Sequence, residues 1–346
     1  MLEARLVLAD GSAITVSETE NKDLFWGIRG AGHNFGILTA AKLKVYDQPA
    51  RNWTYQSIAY PGVMAAKVFE ASNELNAKMP AELSNFIVMR RIPQMNPNNV
   101  SRRDHPLYVW RMKMANHAQS VILSNFFFDG PPEELKKHLA GFAKVPQMFN
   151  MTKTGNYPDI YTLGMSHEAS PQCIGNNFKN LMGVELDKYN PAVQKKIYDV
   201  FNEFTADPRF ALSSVLYDNY GRQGMLAVPE ESTAIKFRKS WVDVYVLPSG
   251  SGTRVANNLN RTPAFIYFDP SVADIAVAKA KEIRDLFQNQ DGPAELNAYV
   301  NYSFGDEPME AVYGREQWRL DKLRNLKKKY DPTGKFNYFS PITYES

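Results

Sequence analysis

Apolar and polar residues alternate from Leu2 to Ala9 and again from Ala13 to Ser17, and an Asp10-Gly11 dipeptide separates the two stretches. A period of two is typical of strands, and Asp-Gly favours a tight hairpin turn. The pattern therefore predicts an antiparallel pair of strands. Because Met1–Asp10 alternates in this way and has no apolar run of the signal-peptide kind, the chain is expected to begin in the middle of a domain.

A short helix is predicted after this hairpin, from Asp23 to Ile28, with Asn21 as its N-cap. The helix ends in a glycine-rich stretch from Arg29 to Gly36. Strand-like alternation then returns from Ile37 to Val45.

Beyond Pro49, strand and helix patterns follow one another along the chain. Strands are predicted at 53–59, 83–90, 107–114, 121–128, 211–217, 241–247 and 298–302. Helices are predicted at 63–77, 132–143, 191–204 and 272–287, and a last helix carries Leu320, Leu323, Leu326 and Tyr330 at helical spacing. Strands with helices between them indicate one large sheet covered by helices, in an α+β fold.

The predicted strand Trp241–Leu247 has the clearest two-faced pattern. One side carries three valines, and we expect helices to cover it. The other side carries Asp243 and Tyr245 and faces either solvent or a ligand cavity. In the second case these two residues are candidates for the substrate cavity.

Charge and composition exclude several classes of function. The 40 basic and 37 acidic residues are spread along the chain, so no nucleic-acid footprint is expected. The basic run Lys322–Lys329 lies on the last predicted helix and is interpreted as its solvated face. No apolar run is long enough to cross a bilayer. The single cysteine, Cys173, excludes an internal disulfide and a cysteine-based metal cluster, and no metal site is predicted.

The stretch Arg29–Gly36 spaces its glycines as G-x-G-x-x-x-G between a helix and a strand. A dinucleotide fingerprint requires G-x-G-x-x-G between a strand and a helix, and a P-loop requires a closing Lys-Ser or Lys-Thr, so neither motif is present. The stretch offers a run of main-chain amides that can approach a phosphate or a flat ring. A tight structural turn is the alternative interpretation.

Three motifs stand near the two ends of the sequence. They are LVLADGS, DLFWGIRGAGHNFGILTAAKLKV, and AYVNY followed by VYGREQWRLDKLRNLKKKYDPTGKF. Together they resemble the berberine-bridge-enzyme-like flavoproteins of the vanillyl-alcohol-oxidase superfamily, especially fungal members that accompany secondary-metabolite pathways. The resemblance implies FAD as cofactor. It also implies three regions: 1–48 as the C-terminal part of a PCMH-type FAD-binding domain, 49–305 as a substrate-binding domain with a large antiparallel sheet, and 306–346 as a helix and tail that return to the FAD-binding domain.

The resemblance assigns cofactor contacts to the glycine-rich stretch, because the matching segment of family members runs along the FAD. The contacts implied are Gly32, His33, Asn34, Gly36 and Ile37. The imidazole of His33 is not the family's covalent flavin ligand, which lies upstream in a different motif. An exposed loop imidazole is the alternative interpretation of His33.

The segment Tyr299–Tyr302 resembles the Y-x-N-Y strand that passes beside the flavin ring of family members. A strand places Tyr299 and Asn301 on one face and Tyr302 on the other. The resemblance implies that Asn301 hydrogen-bonds the flavin or its surroundings, which would bury its glycosylation sequon. Tyr299 or Tyr302 is the candidate catalytic base, and simple packing of a strand is the alternative for both.

The resemblance implies an FAD-linked oxidase that takes hydride from a hydroxyl- or amine-bearing secondary metabolite, such as a polyketide or alkaloid, and passes electrons to O2. Neither a nucleic-acid nor a membrane partner is implied. Family members carry most of the pyrophosphate-binding strands and a flavin-linked histidine upstream of the matching region, so we expect weak FAD retention and self-association. The alternative is a non-catalytic remnant that binds only a small molecule or a partner.

Overall fold

A computed structural model describes residues 1–47, 52–91, 119–163, 181–236, 238, 242–247 and 269–344; for 242–247 it describes the backbone only. The predicted strand 107–114 and Cys173 lie outside these residues. The chain divides into two compact units. The first unit contains Met1–Pro49, Arg222–Ser240 and Glu295–Ser346, and the second contains Ala50–Gly221 and Trp241–Ala294.

Ten strands run through the described residues. They are β1 (Glu3–Val7), β2 (Ala13–Ser17), β3 (Ile37–Lys42), β4 (Trp53–Pro61), β5 (Leu83–Arg91), β6 (Ser120–Phe128), β7 (Phe149–Gly155), β8 (Gly183–Leu186), β9 (Ser214–Tyr220) and β10 (Val242–Leu247). The α-helices are α1 (Lys22–Ala31), α2 (Ala65–Asn76), α3 (Pro132–His138), α4 (Ala140–Ala143), α5 (Ile160–Leu163), α6 (Pro191–Phe204), α7 (Gln223–Leu226), α8 (Ala273–Gln288), α9 (Met309–Tyr313) and α10 (Gln317–Tyr330).

The second unit is built on a seven-stranded sheet in the order β7-β4-β6-β5-β9-β10-β8, and all of its pairings are antiparallel. One face is covered by helices. Tyr217 on β9 packs edge-on against Phe287 of α8 and at a tilt against Phe69 of α2, and its hydroxyl donates to Gln194 of α6. The predicted large sheet covered by helices is therefore confirmed.

The first unit holds a three-stranded sheet in the order β2-β1-β3. Its core joins the two ends of the chain, because apolar residues of α1 pack with those of α10 in one buried cluster. The buried apolar and aromatic positions of α10 are the predicted Leu320, Leu323, Leu326 and Tyr330, and Arg319 and Lys327 are buried with them.

The segment 222–240 also belongs to the first unit, which the sequence did not indicate, and the last segment of that unit begins at Glu295. Arg319, with no exposed surface, connects this segment to α10. Its guanidinium lies 3.1 Å from Glu230 and 3.2 Å from Glu316, and it donates to the carbonyl of Ile235. The contacts of Arg319 with Glu230 and Ile235 join residues that are distant in sequence, so no local sequence pattern predicts them.

Several predicted boundaries differ from the structure. The strand predicted at 211–217 runs from Ser214 to Tyr220 instead. Asn21 precedes α1 but makes no capping hydrogen bond, because its side chain donates to the carbonyl of Thr15. The predicted strand 298–302 is wrong, since Val300–Tyr302 forms a 3-10 turn. None of the described helices has the length and apolar character needed to cross a membrane.

Candidate functional site

The glycine-rich stretch leaves the helical conformation at Arg29 and Gly30, close to the predicted end of the helix at Ile28. Gly30 has φ +143°, and a Cβ there would lie 2.6 Å from the main-chain nitrogen of Ile235. Only glycine allows both this dihedral and this close approach. A 3-10 turn, Gly32–Asn34, follows and leads into β3.

A cavity of about 530 Å³ lies within the first unit beside this stretch. That volume is in the range of small-ligand sites, about 300–1,000 Å³. Its wall combines the glycine-rich stretch, the segment 234–236 and the turn at 299–301. The lining residues are Met1, Leu6, Ile28, Gly30, Gly32, His33, Gly36, Leu38, Ala234, Ile235, Lys236, Tyr299, Val300, Asn301, Val312 and Tyr313.

Five predicted site residues therefore lie on one cavity wall, although they come from opposite ends of the chain. They are Gly32, His33, Gly36, Tyr299 and Asn301. Three others do not line it. Asn34 is fully buried, Ile37 is 60% exposed at the start of β3, and Tyr302 packs edge-on against Tyr299 with ring centroids 5.4 Å apart.

The turn at Tyr299–Tyr302 changes the expected arrangement of its side chains. The amide of Tyr302 donates to the carbonyl of Tyr299 at 2.8 Å, so the chain curls back where an extended strand was predicted. Tyr299 and Tyr302 consequently contact each other instead of facing opposite ways. Asn301 is exposed, which contradicts the expected burial of its sequon, and its amide donates to the hydroxyl of Tyr299 at 2.8 Å. Alternating aromatic and polar residues resemble a strand, but the i, i+3 packing of the two tyrosines suits a tight turn.

Asn34 fixes the glycine-rich stretch to the C-terminal tail. Its Oδ1 accepts the amide of Ile342 at 2.9 Å, and its Nδ2 donates to the hydroxyl of Tyr313 at 2.8 Å. The hydroxyl of Tyr313 in turn donates to the carbonyl of Ser340 at 2.5 Å. The Asn34 side chain is thus occupied inside the protein, so its position favours a supporting role over direct contact with a ligand.

A buried ion pair supports the same stretch from α10. Lys327 has no exposed surface, and its ammonium donates to Asp331 at 2.7 Å, to the carbonyl of Asn34 at 2.9 Å and to that of Phe336 at 3.2 Å. The solvated-face interpretation is therefore wrong for Lys327, although Lys328 and Lys329 are exposed. Helical spacing places residue 327 between the buried and the exposed face of α10. Its burial is determined by a contact distant in sequence, the hydrogen bond to the carbonyl of Asn34.

His33 is exposed toward the cavity, yet its ring is closely surrounded. Desolvation by these neighbours lowers the pKa of His33, and Lys327 acts in the same direction. The carbonyls of Ser340 and Phe339 act the opposite way but do not outweigh the desolvation. The imidazole is therefore uncharged at neutral pH.

Sequence reasoning missed three residues of this site. Lys236 lines the cavity and donates to Asn297 at 2.9 Å. Tyr313 lines it as well, and Lys327 supports it from behind. Tyr313 and Lys327 lie inside the recognised C-terminal motif, so that motif was the available signal. Nothing in the sequence around Lys236 indicated its place.

The two substrate-cavity candidates lie on β10 of the second unit, and their side chains are outside the described residues. In the backbone register, Asp243 pairs with Glu185 of β8 and with Asp218 of β9, and Tyr245 pairs with Gly183 and Leu216. Directly paired residues share a face of the sheet. The register therefore brings three carboxylate-bearing positions into one row.

Comparison with known proteins shows which family this chain resembles. Residues 298–343 match the family model described as "Berberine and berberine like". FAD-linked oxidoreductase chry5 of Gibberella zeae is 32% identical over 343 residues, which are 97% of this chain and 60% of that protein. The chain is similar in sequence to the berberine-bridge-enzyme-like FAD-linked oxidoreductases. It spans about 60% of the length of that curated relative.

Solved structures share the fold. Physcomitrella patens BBE-like 1 superposes with a TM-score of 0.73 at 20% identity, covering 100% of this chain and 66% of that one. The xylooligosaccharide oxidase of Myceliophthora thermophila C1, solved with xylobiose, has a TM-score of 0.70 at 21% identity with the same coverage. The resemblance in sequence to this flavoprotein family, and the α+β fold expected from it, are therefore confirmed.

FAD is the cofactor of this family, and the cavity has features that suit it. Gly32 has helical dihedrals, φ −58° and ψ −34°, and a Cβ there would meet only Ile28 at 3.5 Å. Neither the backbone nor the packing requires a glycine here, and the lack of a side chain leaves room for close approach of a ligand. The described lining carries the Lys236 cation and no carboxylate, which favours an anionic or electron-rich ligand.

Proposed function

We propose that the first unit holds FAD along the main chain of Gly32–Gly36, with Tyr299 and Asn301 lining the same cavity, and that the protein oxidises a hydroxyl- or amine-bearing small molecule. The observation that carries this proposal is the shared cavity. Two segments from opposite ends of the sequence, each assigned to the flavin by family resemblance, line the same space.

Bound FAD would accept a hydride from the substrate and pass the electrons on to O2. The chain's own residues would position both molecules and remove a proton. Gly32 keeps a side chain out of the path of the cofactor. Gly36 is required by the fold as well, because a Cβ there would lie 2.7 Å from the carbonyl oxygen of Val7. Asn301 donates to the oxygen of Tyr299 and thereby fixes the phenol at the cavity wall.

Tyr299 is the proposed base, and Tyr302 packs against it from behind. A tyrosine accepts a substrate proton only as phenolate, which a nearby cation stabilises. Lys236 lines the same cavity and can supply that charge. We therefore favour Tyr299 over Tyr302, which does not line the cavity.

Taken by itself, the second unit has a carboxylate row, with Asp243 between Glu185 and Asp218 in the register and Tyr245 on the same strand, and we propose this row as a substrate-binding surface of that unit. Carboxylates accept hydrogen bonds from hydroxyl groups and pair with protonated amines. This chemistry supports a hydroxyl- or amine-bearing substrate, of the secondary-metabolite class that the fungal resemblance suggested. Sugars are also rich in hydroxyl groups, so oligosaccharides belong in the same test.

The first experiment is an FAD titration of the purified chain, followed by flavin fluorescence and by the visible spectrum after desalting. We expect saturable binding near one FAD per chain. Gly32→Ala should weaken binding about three- to tenfold, because a methyl group prevents close approach at a cost of roughly 0.5–1.5 kcal/mol. Gly224→Ala is the matched control, since a Cβ there meets nothing within 4 Å.

Absence of FAD binding by the unaltered chain would refute the proposed cofactor site. If FAD binds, hydrogen peroxide release is then measured with alcohols, amines and oligosaccharides. Turnover that falls strongly in Tyr299→Phe supports the assigned base. FAD binding without turnover of any class would instead favour the alternative of a protein that binds its ligand without catalysis.

A further inference from the structure

Ser340 in the C-terminal tail has a backbone conformation that its sequence disfavours. Its φ is +38°, and among the residues that the structure describes, Asn21 is the one other non-glycine residue with a positive φ. A side chain in this region costs strain, and the following Pro341 further favours extended backbone at Ser340. Strain of this kind persists only where surrounding contacts impose it, so the contacts of Ser340 show its cause.

The side chain of Ser340 holds one segment of the cavity wall. Its hydroxyl lies 3.0 Å from that of Ser303, and both residues are buried. The Ser303 hydroxyl donates its proton to the carbonyl of Val300 at 2.8 Å, so the Ser340 hydroxyl is the donor between the two serines. Val300 lines the cavity beside Tyr299. The Ser340 side chain therefore supports the turn at 299–302 through Ser303.

The main chain of Ser340 holds the other segment. Its carbonyl accepts the hydroxyl of Tyr313 at 2.5 Å and Nδ2 of Asn34 at 3.4 Å. Asn34 belongs to the glycine-rich stretch, and Tyr313 lines the cavity. Through its hydroxyl and its carbonyl, one tail residue thus connects two wall segments that come from opposite ends of the chain. The positive φ is the conformation in which Ser340 makes these bonds at the same time.

We propose that Ser340 is a positioning residue for the FAD site, which fixes the turn that carries Tyr299 relative to the glycine-rich stretch. The inference rests on the proposed function, since FAD is the assumed occupant. Ser340 does not line the cavity itself and acts through Ser303 and Asn34. A tail that needed only this backbone conformation would be served better by glycine, which adopts a positive φ without strain. The hydroxyl is therefore the feature that requires serine.

Two substitutions separate positioning from stability. Ser340→Ala removes the hydroxyl and keeps the strain, so it should lower the melting temperature and weaken FAD binding about three- to tenfold. Ser340→Gly removes the hydroxyl but relieves the strain, so its melting temperature should stay near that of the parent. Its FAD affinity should nevertheless fall by the same factor, because the turn is then ordered only when the ligand binds. A purely stabilising role would not lower the affinity of the glycine variant.

Asn21→Gly is the matched control. Asn21 also has a positive φ, at +45°, and its side chain donates one hydrogen bond, to the carbonyl of Thr15. It does not line the cavity. The substitution therefore relieves the same kind of strain and removes one hydrogen bond within the same unit, and it should leave the FAD affinity unchanged.

A double-mutant cycle tests the path through Ser303. Because Ser340 reaches the turn by its bond to Ser303, Ser303→Ala already removes that bond. The double variant Ser303→Ala/Ser340→Ala should then bind FAD no more weakly than Ser303→Ala alone.

Hydrogen exchange in the ligand-free protein measures the order of the turn directly. The amide of Tyr302 donates to the carbonyl of Tyr299 at 2.8 Å. We expect this amide to exchange about three- to tenfold faster in Ser340→Gly than in the parent, while the amides of α6 in the second unit stay unchanged.

Parent-like FAD binding by Ser340→Gly, or fully additive losses in the double variant, overturns this inference and leaves the proposed cofactor site standing. An equal loss of affinity in Asn21→Gly overturns it as well, because the effect would then follow from any relaxed positive φ in the unit. If the unaltered chain does not bind FAD, the proposed function itself fails, and the positioning role of Ser340 falls with it.

Discussion

The ammonium of Lys327 donates a hydrogen bond to the main-chain carbonyl of Asn34 at 2.9 Å. This contact joins the last turn of α10 to the glycine-rich stretch near the start of the chain. Because the same ammonium bonds Asp331, one charged pair supports the cavity wall, the helix end and the tail together. Hydrogen bonds of this kind hold a ligand site in its binding geometry before the ligand binds.

Lys327→Met is expected to destabilise the first unit strongly. It leaves the carboxylate of Asp331 buried without its cation, and breaking a buried pair in this way typically costs about 3–5 kcal/mol. Urea unfolding followed by tryptophan fluorescence measures the loss. Lys328→Met, one position along on the exposed face, is the control and should change stability by less than about 0.5 kcal/mol. Equal effects of the two substitutions would mean that the pair contributes little.

Stability should also depend on Asp331 in acid. Burial acts to raise the pKa of Asp331, but Lys327 and the amides of Phe336 and Lys335 outweigh it, so the pKa lies below its ordinary value. A depressed folded-state pKa stabilises the protein above the unfolded-state pKa of about 4 and loses this contribution as the pH falls below it. The stability difference between the parent and Asp331→Asn should therefore be constant from about pH 5 to 7 and shrink below about pH 4. A difference that grew toward low pH would contradict this assignment.

Gly30→Ala should destabilise the protein by roughly 1–3 kcal/mol, because alanine rarely adopts φ +143° and its Cβ would lie 2.6 Å from the nitrogen of Ile235. Thermal unfolding tests this. Gly224→Ala, in α7, should be neutral or slightly stabilising. If Gly30→Ala were tolerated, the segment 234–236 would not pack as closely against the glycine-rich stretch as the structure has it.

Arg319→Lys should loosen the segment 230–236 without unfolding the unit. A lysine cannot reproduce the branched guanidinium that reaches Glu230, Glu316 and the carbonyl of Ile235 at once. Hydrogen exchange at the amides of Ala234 and Ile235, which bond Trp26 and Arg29, should accelerate about tenfold for a loss near 1.4 kcal/mol. Arg324→Lys on the same helix should leave these amides unchanged.

Local patterns predicted the regular elements well where periodicity and end signals agree. Helix Pro191–Phe204 has the predicted bounds, with proline at its first position and Asn190 as a cap that accepts two amides. Strand Ala13–Ser17 is likewise as predicted. Prediction failed at Tyr299–Tyr302, where two aromatic residues suit a strand and a tight turn equally, and a tertiary hydrogen bond from Ala298 to Ala311 fixes the neighbouring chain.

The site could be predicted only where family resemblance reached it. Gly32, His33 and Gly36 lie in one recognised motif, and Tyr299 and Asn301 in another. Asn34 belongs to the first motif, but its supporting role follows from partners in the tail, which periodicity does not reveal. Lys236 lines the cavity because an internal segment of the chain packs beside it. Sequence periodicity gives no information about such contacts between residues that are distant in sequence.

The first unit draws its core from residues at both ends of the chain, with Leu24 and Phe25 in the same buried cluster as Leu320 and Leu323. Synthesis proceeds from the amino end, so α1 leaves the ribosome well before α10, and the whole second unit is made in between. The apolar surface that α1 buries against α10 therefore stays uncovered by that helix during this interval. Loss of α10 would uncover the same surface permanently.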